Sequence, residues 1–214
     1  MITLYDFELS GNCYKLRLLL SILKLPYDIV PVDYYPGREN RSDWFLRLNP
    51  WAQLPVLTDD DLVLADSGAI LAYLARKYDP TGLWHPTDAA ITAEVLRWHG
   101  VADSITATAA AARLSLSFGH DVDIPRAQRE AHRIFRLVDE HLWFGEREGR
   151  DWLCSPAHPT TADLACFPYV MLSEEGGIGR EDYPALRRWT DRVRRIPGFI
   201  VMSGIFPAGR AHEG

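Results

Sequence analysis

Apolar and polar positions alternate over Ile2-Thr3-Leu4-Tyr5-Asp6-Phe7, which predicts a first strand. Glu8 to Asn12 collects residues suited to turns and helix starts. From Cys13 the spacing becomes helical: Leu16, Leu19, Leu20 and Leu23 share a face, with Lys15, Arg17 and Lys24 mostly elsewhere. Leu25-Pro26 closes that helix, and Tyr27 to Val32 reads as a second strand, so the chain opens β-α-β, a parallel pair with a right-handed crossover. The polar stretch Tyr34 to Asn49 holds a short helix around Ser42 to Leu48. Next come an apolar run broken by one proline (Gln53-Leu54-Pro55-Val56-Leu57), an acidic turn (Asp59-Asp60-Asp61) and a second apolar run (Leu62-Val63-Leu64), which together predict a β-hairpin. A helix follows from Ser67, with Ile70, Leu71, Tyr73, Leu74 and Tyr78 apolar, and Asp79-Pro80-Thr81-Gly82 stops it. The order βαβ-α-ββα predicts an α/β domain: a mixed four-stranded sheet with helices on both faces.

After Gly82 no strand pattern returns. Residues 81–87 read as a linker between a first domain, 1–80, and an all-α domain, 88–214. Asp88 starts a long helical stretch through Ile91, Val95, Trp98, Val101 and Ile105 into the alanine-rich Ala109 to Ala112. A loop at Phe118 to Ile124 precedes a helix opened by Pro125. A third helix begins at Thr160, with a kink expected at Pro168, and a fourth runs from Pro184 to Ile196.

Composition narrows the function classes. The chain has 214 residues, 47% hydrophobic and 24% charged, enough for a sizeable core. Its formal net charge of −6 argues against non-specific binding to nucleic acid or an anionic membrane. No apolar run approaches the roughly 20 residues that span a bilayer, and the start lacks a signal peptide's basic end and cleavage site. The three cysteines (Cys13, Cys154, Cys166) are widely spaced with no CxxC, so neither a disulfide framework nor a zinc site is expected, and a reducing cytoplasm is the expected location. The histidines show no metal-ligand spacing, and no Ser-His-Asp set or phosphate loop is present.

The candidate chemistry lies in Asn49 to Ser67. Pro55 cannot donate to a strand ladder, so it belongs at an edge or a strand start, leaving the flanking Leu54 backbone free to pair with something else. Asp66 and Ser67 stand where a helix begins, a carboxylate beside an anion site. Peptide-like pairing, an ammonium site and a carboxylate site suit a small peptide. Four motifs in this order, Ser10-Gly11-Asn12-Cys13-Tyr14-Lys15, Asn49-Pro50 through Leu57, Asp66-Ser67 with Ala69 to Leu74, and Thr160-Thr161-Ala162-Asp163, resemble those of the cytosolic glutathione S-transferases, bacterial-like and serine-type. The resemblance covers nearly the whole chain. It implies a thioredoxin-like first domain followed by an all-helical one, and a soluble cytoplasmic enzyme that conjugates the glutathione thiolate to a small, largely hydrophobic electrophile. Glutathione would be a co-substrate, with no permanently bound cofactor and no metal.

The resemblance also assigns residues. A cis Pro55 would expose Leu54 to pair with the cysteinyl part of glutathione, while Gln53, Asp66 and Ser67 would hold the γ-glutamyl end; Asp66-Ser67 also reads as an ordinary helix cap, and the two roles are compatible. A free thiol titrates near pH 8.5, so a donor must favour its anion; Ser10 at the strand-to-helix turn is the first candidate and Asn12 the second. Either also serves as a simple cap. Cys13 could instead form a mixed disulfide, as in cysteine-type relatives, although those place the cysteine nearer Ser10; Tyr5 reads as core. Thr160 to Asp163 has a capping-box layout whose role is stability. For the acceptor substrate, Tyr35, Trp98, Asp103 and Arg113 are candidates, with His99 beside them. A disulfide reductase on the same site, or a non-catalytic glutathione-binding module, are the competing functions. A two-fold homodimer is implied, with Trp44, Trp51 and Phe45 as exposed aromatics at its surface; sedimentation as a monomer at micromolar concentration would refute it. Ala52 replaces a common glycine, Asp66 a commoner glutamate, and Gly68 follows Ser67 where a helix former would be more stable by roughly 1 kcal/mol.

Overall fold

A computed structural model describes residues 1–155 and 157–206. The expected all-helical domain includes Pro156 and residues 207–214, which lie outside the described residues. Strand β1 (Ile2–Asp6) leads into helix α1 (Gly11–Ile22) and strand β2 (Asp28–Pro31). Helix α2 (Asp43–Leu48) precedes the hairpin β3 (Val56–Asp59) and β4 (Leu62–Ala65), and helix α3 (Ser67–Tyr78) follows. The sheet order is β2-β1-β3-β4, with β1 parallel to β2 and antiparallel to β3, and β3 antiparallel to β4. This is the mixed four-stranded sheet that the βαβ-α-ββα pattern predicts, and the thioredoxin-like arrangement that the resemblance implies.

The hairpin turns on two residues, because Asp59 pairs with Leu62 and Asp60 takes φ +53. Asp59 is buried beneath it. Its carboxylate accepts from Tyr73 (2.7 Å), Lys77 (2.7 Å) and Tyr78 (2.5 Å), which tie β3 to α3 and hold the carboxyl far below the usual range even against burial. The hairpin that carries the candidate peptide-binding residues is thus fixed to the helix that continues it.

The expected placement of Lys15 and Arg17 away from the buried face of α1 is corrected. The helix shares a core with the sheet and packs against α3 and the later helix α7 (Thr161–Met171), so both side chains are buried. Each finds a partner: Arg17 pairs with Asp6 and donates to the Glu8 carbonyl at 2.8 Å, and the Lys15 ammonium lies 5.8 Å from the ring centroid of Tyr169. A fully surrounded helix keeps a cation only where it is compensated. The exposed aromatic trio needs the same correction. Trp51 is 80% exposed, but Phe45 is wholly buried with Val32 and Val56, and Trp44 is half-buried against Tyr5.

The second half is helical among the described residues, apart from one isolated bridge, Met202 to Ile205. Helix α4 (Ala89–Ile105) continues through a π turn (Thr106–Ala110) into α5 (Ala111–Phe118). Thr106 and Thr108 donate to the carbonyls of Ala102 (2.9 Å) and Ser104 (2.8 Å), the back-bonding that loosens a helix toward a wider turn. Helix α6 (Ile124–Arg147) packs on α8 (Pro184–Val193), and α7 (Thr161–Met171), every residue of which is buried, packs against α1, α3, α4 and α8. At the start of α7, Asp163 accepts from the Thr160 amide (2.8 Å), the Leu153 amide (3.1 Å) and the Trp189 indole (2.9 Å). Helix α7 runs on through Pro168 and tightens into a 3₁₀ turn at Leu172–Gly176.

Candidate functional site

A cavity of about 470 Å³ opens between the sheet and the α4–α5 wall. Ser10, Asn12, Gln53, Leu54, Pro55, Asp66, Ser67, Asp103 and Arg113 all line it, so nine of the eleven residues singled out from sequence meet in one place. Two do not, and each has a physical reason. Trp98 is buried with its ring centroid 4.7 Å from that of His141, because α4 turns it into the helical core. Tyr35 is exposed and packs edge-on against Phe118, while its neighbour Tyr34 turns into the cavity wall. His99 also stays out of the cavity lining; its Nε2 meets the Thr161 hydroxyl at 3.1 Å.

The side expected from sequence to bind a peptide is built from local devices. Asn49 donates to the Gln53 carbonyl (2.8 Å) and accepts from the Trp51 amide (3.1 Å), folding 49–53 on itself. Ala52 takes φ +55, which explains the glycine common at this position; the Asn40 amide holds its carbonyl at 2.7 Å. The Leu54–Pro55 bond is cis, and the ladder starts only at Val56, which leaves Leu54 outside it in the cavity wall. Asp66 sits at φ +79 and caps α3 by accepting from the Ala69 amide at 2.8 Å. Ser67, the first residue of α3, is buried but lines the cavity, beside the positive end of the helix.

The side at the Ser10 turn is built differently. Ser10 caps α1, accepting from the Cys13 amide at 3.2 Å. The turn before it is held from far along the chain: Arg113 donates to the Leu9 carbonyl at 2.9 Å and pairs with Glu175 at 2.5 Å. Arg113 is therefore a strut on the Ser10 turn as well as a wall residue. Cys13 belongs to the support beneath. Its sulfur accepts from the Phe7 amide at 3.5 Å and interacts with Asp6, and burial pushes its thiol up to about 12. Burial also pushes the Lys15 amine down to about 8, opposed by the carboxylates of Asp103 and Asp66. Asp103 is raised, first by burial and then by Asp66, with Lys15 acting against both.

Sequence reading missed Tyr169, Phe7 and Phe118. Phe7 and Phe118 form an aromatic edge with Tyr34, at centroid distances of 5.5 and 6.2 Å from Phe7. Tyr169 comes from the buried face of α7, and nothing near it in sequence marks a cavity residue. Its ring lies on the start of α1, where a Cβ at Gly11 would stand 2.8 Å from it.

Residues 1–76 match the family model described as the glutathione S-transferase N-terminal domain. The disulfide-bond oxidoreductase YfcG of Escherichia coli K12 is 30% identical over 210 residues, covering 92% of each chain. A solved structure described as a possible glutathione S-transferase from Rhodopseudomonas palustris superposes with a TM-score of 0.81 at 29% identity, over 94% of this chain and 97% of that one. A glutathione transferase homologue from Lodderomyces elongisporus, solved with two glutathiones per subunit, gives 0.79 at 25% identity over 92% and 94%. With a thioredoxin-like sheet, a helical second half and end-to-end similarity to such relatives, the chain belongs to the glutathione S-transferase family.

Proposed function

We propose that this chain is a glutathione transferase, a soluble cytoplasmic homodimer with boundaries at 1–80 and 88–214. It adds the glutathione thiolate to a small, largely hydrophobic electrophile. The observation that carries the reading is the convergence of Leu54, Asp66, Ser67 and Ser10 on one cavity. Gln53 and Ser67 with the α3 N-terminus take the γ-glutamyl carboxylate, Asp66 takes the ammonium, and the Leu54 backbone pairs with the cysteinyl unit. Ser10 donates to the sulfur at the N-terminus of α1, where hydrogen bond and helix dipole both favour the anion. Asn12 lies beside it as the second donor. The aromatic edge of Phe7, Tyr34 and Phe118 suits an apolar acceptor, with Asp103 and Arg113 at its polar border. Cys13, buried and protonated, stays outside the chemistry.

A second reading is favoured by the name of YfcG and by the pair of glutathiones in the Lodderomyces homologue. In it the glutathione thiolate attacks one sulfur of a disulfide, the other leaves as a thiolate and takes a proton, and a second glutathione releases the remaining thiol. Two glutathiones are oxidised to their disulfide and one disulfide is reduced to two thiols. Steady-state turnover of Ser10→Ala with an aryl halide and with a small mixed disulfide tests both. A loss of roughly tenfold or more in kcat is expected on the preferred substrate, and unchanged turnover on both would remove Ser10 from the mechanism.

A further inference from the structure

We infer that His99 is a positioning residue for the ligand's ammonium: its imidazole, clamped between the starts of α3 and α7, confines the Asp66 carboxylate to the direction in which it can take that cation. This deepens the glutathione reading above and rests on it. The contacts are close ones. A Cβ at Gly68 would stand 3.1 Å from the His99 Nδ1 and 3.2 Å from the Asp66 Oδ1, so ring and carboxylate flank the same glycine. The far side of the ring is tied. His99 Nε2 meets the Thr161 hydroxyl at 3.1 Å, and the same hydroxyl meets His85 Nδ1 at 3.2 Å. Thr161 opens the wholly buried helix α7 and is itself buried, so the ring is backed by the core and cannot retreat from Gly68.

Asp66 is a residue that needs such a wall. It sits at φ +79, a conformation costly for any residue with a Cβ, and such strain persists only where the surroundings over-determine it. Its Oδ1 accepts from the Ala69 amide at 2.8 Å. Turning the carboxylate across Gly68 would carry it into the imidazole, which leaves Oδ2 for the cavity that Asp66 lines. An aspartate has one torsion fewer to fix than the commoner glutamate, so a bond on one side and a wall on the other hold it. Burial pushes the His99 imidazole down to about 4, so at neutral pH the ring is an uncharged wall and not a cation competing for Asp66. The glycine at 68, costly inside a helix, is what lets the ring approach.

The test compares glutathione with glutaryl-cysteinyl-glycine, the same molecule with hydrogen in place of the ammonium. Calorimetry on the wild type should show glutathione bound about tenfold more tightly. His99→Ala removes the wall. Gly68→Ala sets a methyl against it, and because the ring is tied, the carboxylate is the group that gives. In both variants the ratio should fall to about threefold through weaker glutathione binding alone, with the desamino ligand kept within about twofold. In an Asp66→Asn background the ratio should be near one, and adding His99→Ala should change neither affinity by more than about twofold. The midpoint of the bound glutathione thiol, titrated by its thiolate absorbance, should stay where it is in His99→Ala and Gly68→Ala, because Ser10 is untouched. Both ligands weakened alike by His99→Ala would make the residue merely structural and overturn the inference, as would an equal effect in the Asp66→Asn background. Should His99→Ala not fold, Gly68→Ala decides: an undiminished ratio there overturns the inference. A wild type that binds both ligands equally removes Asp66 from the ammonium site and this inference with it, while one that binds neither overturns the glutathione reading itself.

Discussion

The two ends of the cavity are held in opposite ways. At the proposed peptide-binding end the bonds stay within the first domain: Asn49 to Gln53, Asn49 to Trp51, and Asp66 to Ala69 span two to four residues, and Asn40 to Ala52 spans twelve. At the proposed thiol end the Ser10 turn is held by Arg113, 104 residues from the Leu9 carbonyl it grips, and the start of α1 is faced by the Tyr169 ring from the buried helix α7. A binding surface can be written into one stretch of chain because it needs only backbone direction and a helix end. The position of the Ser10 hydroxyl depends on what holds its turn, and the Arg113 grip on the Leu9 carbonyl comes from the second half of the molecule. Binding and activation should therefore separate under mutation.

Arg113→Ala is the strongest way to break this contrast. Its side chain is 5% exposed and that of Glu175 35%, so the pair is largely but not wholly desolvated. Removing the guanidinium leaves the Leu9 carbonyl and the Glu175 carboxylate without it, at a cost of about 2–3 kcal/mol. Urea denaturation should show that loss. Turnover should fall roughly tenfold as the Ser10 turn loosens, while glutathione affinity stays within about twofold. Affinity that collapses alongside turnover would mean that the two ends are one mechanical unit.

The same contrast explains what could be read in advance. The strand and helix order, the hairpin and the Asp66–Ser67 helix start follow from period and punctuation, which act over a few residues, and they were legible. Ala52 was legible as a departure, and its φ of +55 is the physical content of that departure. The fate of Lys15 and Arg17 was not, because a helical period marks the apolar face of α1 but not that α7 covers the opposite one. Trp98 and Tyr35 fall outside for a related reason: α4 reaches the cavity wall only at Asp103, more than a turn beyond Trp98, and one residue separates Tyr35 from Tyr34, which lines it. Tyr169 carried no local signal at all. A buried apolar helix such as α7 presents every face to something, and only its packing partners say which face meets the cavity.

The proposed peptide-binding end has a long-range neighbour in His99, whose ring lies against Gly68 at the start of α3 and bonds Thr161 at the start of α7. Burial, then the nearby His85 and Lys15, push the His99 imidazole down to about 4, opposed by Asp66. The folded state therefore holds it neutral, while the unfolded chain takes up a proton near pH 6.5. Stability from this group is fully present above that value and is lost as pH falls from 6.5 toward 4. Between pH 7 and 5 the loss from His99 is about 2 kcal/mol. Urea midpoints at the two pH values should show it, and His99→Gln should flatten the difference. An equal acid loss in the variant would assign the effect to other groups.

Ser67→Ala gives the smallest effect and the sharpest separation. Ser67 is the first residue of α3 and is not its cap, since Asp66 accepts from the Ala69 amide. Its removal should leave the melting temperature within about 2 °C. A hydroxyl bonded to a carboxylate contributes about 1.5 kcal/mol, so the glutathione Kd should rise about tenfold. The thiol midpoint should stay where it is, because neither Ser10 nor any donor to it has changed. Calorimetry and the thiolate titration on one variant set this against Ser10→Ala, where the midpoint moves and the affinity barely does. A Ser67→Ala midpoint that rises with Kd would mean that the position of the bound tripeptide, rather than the donors around Ser10, sets the thiol's acidity.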